Sequence, residues 1–141
     1  MRIRSALFAL LAAACLPAAA QNMQPGEWEF TTTISSVAMP KPQTVTVTQC
    51  VSKADADDPA SFLAQGKQAD CKITPGERAA GSYSWKINCP KPGLVGAGNA
   101  HFGTNKIESE LRMTMAPQGG NEKMEMTNRT IGRYLGPCRA K

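Results

Sequence analysis

Seven runs along this chain alternate between apolar and polar residues with a period of two, and glycine, proline and asparagine clusters separate them at short intervals. That period marks strands with one buried face, so the chain is constrained to an antiparallel sheet before any other feature is weighed. Trp28, Phe30, Thr32 and Ile34 share one face of the first run, and Val45, Val47 and Val51 mark the second, after a Met39-Pro40-Lys41-Pro42 turn. Cys71 and Ile73 open a third, Tyr83, Trp85, Ile87 and Cys89 line a fourth, and a glycine-rich fifth covers about residues 96–102. Ile107, Leu111, Met113 and Met115 line a sixth, and Met124 and Met126 open a seventh that reaches about Arg133. The turn signals are Pro75-Gly76, Ala80-Gly81, Gly103-Thr104-Asn105 and Gln118-Gly119-Gly120-Asn121. Consecutive antiparallel strands on short links make a meander, which must curl or close to protect its edges. The expected fold is all-β with one short helix: an antiparallel meander forming a strongly curved sheet or open barrel. Its fifth strand is expected to carry a bulge or a sharp bend.

One segment departs from the β pattern. Ser52-Lys53-Ala54-Asp55 has the form of a capping box, and Asp58-Pro59 offers an N-cap followed by proline at the first helical position. A helical turn or two is expected over residues 60–65, with Gly66 as C-cap. The acidic group Asp55, Asp57 and Asp58 lacks the glycine and distal glutamate of a calcium loop, and the dipole at a helix start explains it.

Residues 1–20 read as a cleavable signal peptide. Arg2 and Arg4 form a positive start, residues 6–16 a short apolar stretch, and Ala18-Ala19-Ala20 the small residues before a cut. The apolar stretch is shorter than the roughly 20 residues a membrane span needs. Cys15 sits in a weak lipobox-like context, Leu11-Ala12-Ala13-Ala14, which leaves lipid anchoring as a minor alternative. Residues 21–141 then form a single domain, large enough to bury roughly two-thirds of its unfolded surface. Of the 16 basic residues, Arg2 and Arg4 leave with the signal, so 14 face 11 acidic ones and the mature chain carries +3. Those charges are scattered and not interleaved with aromatics, which argues against a nucleic-acid partner.

Four cysteines remain after the signal: Cys50, Cys71, Cys89 and Cys138. An even number in an oxidising compartment argues for two disulfides, and no spacing suggests zinc. The hairpin of strands three and four is centred near Ala80, so Cys71 and Cys89 lie opposite each other, on the face carrying Ile73, Trp85 and Ile87. Cys71–Cys89 is therefore favoured, leaving Cys50–Cys138 to tie the second strand to the tail.

Pro25-Gly26-Glu27-Trp28-Glu29, Thr46-Val47-Thr48-Gln49-Cys50-Val51, Asp70-Cys71-Lys72, Trp85 with Cys89-Pro90, Gly96-Ala97-Gly98, a methionine-rich hairpin and Arg133-Tyr134-Leu135-Gly136-Pro137-Cys138 follow one another in an order and spacing that resemble the small exported bacterial proteins grouped as domain of unknown function 3617. The resemblance covers nearly all of the mature chain. It implies an envelope location and a β-rich fold, and no activity.

The sharpest chemical feature is methionine. Met113-Thr114-Met115 and Met124-Glu125-Met126 flank a loop, and a symmetric hairpin sets Met115 against Met124 and Met113 against Met126. Such a cluster reads in three ways. It packs a core, lines an apolar cavity together with Trp28, Phe30, Trp85 and Leu111, or supplies soft thioether ligands for Cu(I). Catalysis finds no complete motif. His101 is alone and points away from Phe102, and no serine sits in a nucleophile elbow. Glu108 and Glu110 share an exposed strand face, and Asn128-Arg129-Thr130 is a chance glycosylation sequon. The expected function is a non-enzymatic periplasmic binding module that takes an apolar small molecule or an envelope client on the concave face of the sheet. Cu(I) binding by Met113, Met115, Met124 and Met126, or a structural protein-interaction role, are the alternatives.

Overall fold

A computed structural model describes residues 23–58, 70–91, 93–116 and 122–139. The strands are β1 (Gly26–Ser36), β2 (Gln43–Val51), β3 (Lys72–Ala79), β4 (Ser82–Cys89), β5 (Leu94–Phe102), β6 (Lys106–Met115) and β7 (Met124–Gly136), with the helix α1 (Lys53–Asp57) between β2 and β3. All seven lie in one antiparallel sheet in the order β2-β1-β7-β6-β5-β4-β3. Strands β3 to β7 run as the expected meander. The first strand, however, follows β7, so the two ends of the domain pair mid-sheet, with Phe30 opposite Gly132. The sheet is open, with β2 and β3 as its two edges.

It is also strongly curved. Trp28 and Phe30 on β1 share one buried cluster with Tyr83 and Trp85 on β4, although three strands lie between. Among the described residues only Met23 and Ala56 of α1 join this cluster from outside the sheet, so the curvature of the sheet itself contributes to burying Trp28 completely.

Local chemistry places the connections. The β3–β4 hairpin turns at Ala80 and Gly81, where Gly81 takes the left-handed φ of 73° that a side chain would resist. Ser52 accepts a hydrogen bond from the Asp55 backbone while the Asp55 side chain accepts one from the Ser52 backbone, which starts α1 where the capping box predicts. Asp58 caps the C-terminus of this five-residue helix. The helical turn expected over 60–65, the Gln118–Asn121 turn and the signal peptide over 1–20 lie outside the described residues.

Two expectations are corrected. Pro75-Gly76 is no turn between strands: it lies inside β3, where the pairing with β4 shifts register between Pro75 and Arg78. Proline survives there because β3 is an edge and its outer side needs no donor. Of the bulge or bend expected in the glycine-rich β5, the bulge is absent, since its register with β4 and with β6 is unbroken. Its glycines make room instead. A Cβ on Gly98 would collide with the Trp85 indole, which lies across it from β4. Gly132 does the same for Phe30, whose ring a Cβ there would meet at 2.8 Å.

Both disulfides form as the spacing predicts: Cys71–Cys89 within the β3–β4 hairpin and Cys50–Cys138 across 88 residues. The second joins edge strand β2 to the tail after β7, and so clasps β1, which runs between them.

Candidate functional site

The registers carry one set of side chains across the whole inner face. Trp28, Phe30, Thr32 and Ile34 of β1 line up with Tyr134, Gly132, Thr130 and Asn128 of β7. These align with Ile107, Ser109, Leu111, Met113 and Met115 of β6, then with Phe102, Ala100, Gly98, Gly96 and Leu94 of β5. Tyr83, Trp85, Ile87 and Cys89 of β4 complete the set. Every apolar residue singled out from the sequence, namely Trp28, Phe30, Trp85, Leu111, Met113, Met115, Met124 and Met126, lies on this face.

Along the strands the face divides into two ends. At one end Trp28, Phe30, Val51, Tyr83, Trp85, Ala100, Phe102 and Ile107 are buried and closed by Met23 and by Ala56 of α1. Trp28 packs edge-on against Tyr134 at 5.4 Å and donates its Nε1–H to the Gln24 carbonyl at 2.9 Å. Tyr83 and Trp85 stack at 5.8 Å. A hydrogen bond between the hydroxyls of Thr32 and Thr130, at 2.9 Å, marks the boundary. Beyond it lie Ile34, Leu111, Met113, Met115 and Met126, all half-buried, and Met124, which is exposed. Trp28 and Phe30 are thus walls of the packed end and Leu111 and the four methionines line the open end, while Trp85, buried with the packed cluster, stands across Gly98 in the same row as Leu111. Met113 stands opposite Met126 and Met115 opposite Met124.

Asn128 stands at the inner limit of that open end, next on its face to Thr130 and between Leu111 on β6 and Ile34 on β1. Its Oδ1 is shut off from solvent and has no hydrogen-bond partner among the described residues. A buried acceptor left without a donor costs about 1–3 kcal/mol. Sequence reasoning met Asn128 only as a sequon, although the alternation Met124, Met126, Asn128, Thr130 already put it on the inner face. A half-buried amide between two apolar neighbours is no surface glycan site.

Among the described residues the Tyr83 hydroxyl is the other buried side-chain group without a partner. Desolvation, helped by the negative charge of Asp58 and opposed by Arg78, raises its pKa above the ordinary 10.0. Below pH 10 the phenol is neutral both folded and unfolded, and above it the unfolded chain loses its proton first. Stability from this residue is therefore intact at neutral pH and falls as pH rises past 10 toward the folded value. Urea titrations of Tyr83→Phe should lose this part of the alkaline decline and show no loss of stability at pH 7, because the hydroxyl makes no bond.

The outer face is mostly polar, broken by exposed Val95, Ile131 and Leu135, and several of its charges pair. Arg133 bonds Glu29 at 3.0 Å, Arg112 bonds Glu110 at 2.7 Å and Lys106 pairs with Glu108 at 2.6 Å. The hydrogen bond from Lys106, with its charge, holds the Glu108 carboxyl below its usual range. His101 is exposed on this face, opposite Glu108. A solvent-open depression of about 530 Å³ there carries Lys86 and Arg112 beside Glu125, charges of both signs. Asp55 is spent on the helix cap and Asp57 on an ion pair with Lys53. Among the described residues no three His, Cys, Asp or Glu side chains gather to hold a metal, and no helix is long and apolar enough to cross a membrane.

Fold and site together define a small disulfide-clasped all-β domain built on one open, curved sheet. The chain belongs to the family described as protein of unknown function DUF3617, whose model matches residues 23–138. No curated protein and no solved structure is significantly similar to it.

Proposed function

We propose that this domain is an exported, non-enzymatic binding module whose open inner end takes an apolar small molecule bearing one hydrogen-bond donor. The observation that supports this most is the orphaned Asn128 Oδ1, set among half-buried Leu111, Met113, Met126 and Ile34, which a guest must displace to bring its donor to the buried oxygen. An apolar floor with one converging polar atom is the ordinary make-up of a small-molecule site, and flexible thioether side chains adapt to an irregular guest. The run over residues 1–20 and the two disulfides support an oxidising compartment, the periplasm.

The test uses N-phenyl-1-naphthylamine, an apolar fluorophore with a single N–H. The parent protein should enhance its emission saturably, and Asn128→Leu should weaken binding by about tenfold, the worth of one hydrogen bond. The same variant should unfold at higher temperature, because it removes an unpaired buried acceptor. Equal affinity in parent and variant, or no saturable signal, contradicts the reading.

The facing pairs Met113–Met126 and Met115–Met124 support a second reading, Cu(I) held by thioethers. Replacing all four with Leu should then leave the fold intact and abolish Cu(I) affinity in a chelator competition, and unchanged affinity would remove methionine from consideration.

A further inference from the structure

The two edges of the sheet are unlike each other. Edge β3 carries Lys72, Pro75, Glu77 and Arg78 and is bent by a register shift, the devices that keep one sheet from pairing with another. Edge β2 has none of them. From Gln43 to Gln49 it holds no charge, no proline and no glycine, its pairing with β1 is unbroken, and every residue is exposed. A long regular edge of β-branched residues is an open template for another strand.

The order of residues on that edge specifies which strand. Gln43-Thr44-Val45-Thr46-Val47-Thr48-Gln49 reads the same in both directions, centred on Thr46. Two antiparallel copies related by a two-fold axis through Thr46 would set Gln43 against Gln49, Thr44 against Thr48, Val45 against Val47, and Thr46 against itself. A two-fold interface demands this kind of self-complementarity. The side chains suit it as well. Thr46 and Thr44 already meet Thr31 and Thr33 on the outer face, at 3.1 and 3.3 Å between hydroxyls. A second copy would extend that threonine ladder by another strand. On the inner face Val45 and Val47 are 53% and 50% exposed at the rim, and they would cover one another.

We infer that β2 is a homodimer edge, pairing antiparallel with β2 of a second copy about Thr46, so that two sheets join and their inner faces run into one surface. The mature protein should sediment at twice its monomer mass across the micromolar range. Thr46→Lys, which sets two charges on the axis, should sediment as a monomer with an unchanged circular dichroism spectrum. Thr46→Cys, air-oxidised, should give a disulfide-linked dimer, because position 46 meets only itself. Thr44→Cys is equally exposed but faces position 48, and should not cross-link. A monomeric parent, a Thr46→Lys variant that remains dimeric, or Thr44→Cys cross-linking as well as Thr46→Cys each overturns the inference. A monomeric parent would leave the edge to a strand of another protein.

Discussion

Replacing Cys50 and Cys138 with alanine is expected to lower stability by about 4–5 kcal/mol, against about 3 kcal/mol for the same change at Cys71 and Cys89, since the stabilisation grows with the length of the loop closed. The separations are 88 and 18 residues. The longer bridge gives the cleaner measurement, because Cys50 and Cys138 are exposed and their replacement leaves no cavity. Small domains are stable by only about 5–15 kcal/mol, so the variant should sit near its unfolding threshold. Urea unfolding followed by tryptophan emission reads both losses. A loss at the longer bridge well below about 4 kcal/mol would mean that loop length is not what the clasp over β1 contributes.

A second large effect is expected at a residue with no side chain. The Trp85 indole lies where a Cβ on Gly98 would be, so Gly98→Ala must push the ring out of the packed end. The loss should approach that of Trp85→Ala, about 3–5 kcal/mol for a buried aromatic. Combining the two should cost no more than Trp85→Ala alone, since the added methyl then meets nothing. Two contacting residues depart from additivity in this way, and independent ones do not. Additive losses would show that the indole is not seated on Gly98.

The same pair shows what a sequence carries and what it withholds. Alternation in Tyr83, Trp85, Ile87 and Cys89, with a turn at Ala80, was enough for the β3–β4 hairpin, its register and its disulfide, because each depends on neighbours fewer than 20 residues apart. Ser52 and Asp55 announced their helix for the same reason. The pairing of β1 with β7 joins residues about 100 apart, and nothing local in either strand encodes the other. Gly96 and Gly98 signalled that β5 needed space. Whether a bend or a ring required it depended on Trp85, a strand away. Pro75-Gly76 has turn chemistry wherever it stands, and only the edge position of β3 made it a bulge.

The candidate site was legible as a face and not as a place. Period-two patterning assigned Trp28, Trp85 and Met113 to one side of the sheet with equal force. It says nothing of position along the strand, which separates the end closed by Met23, Val51 and Ala56 from the end left open. Asn128 was missed because a polar residue breaks an apolar pattern, and the pattern was the signal being followed.

The central claim, that the open end receives an apolar guest while the packed end does not, is tested most directly by methyl NMR on protein carrying ¹³C-methyl methionine. Met113, Met115, Met124 and Met126 line the open end, Met23 is buried in the packed end and Met39 lies on the β1–β2 connection. On titration with N-phenyl-1-naphthylamine, the four open-end methyl signals should shift together along one saturating curve while Met23 and Met39 stay in place. Still signals at all four, or a Met23 shift as large as theirs, would contradict the account.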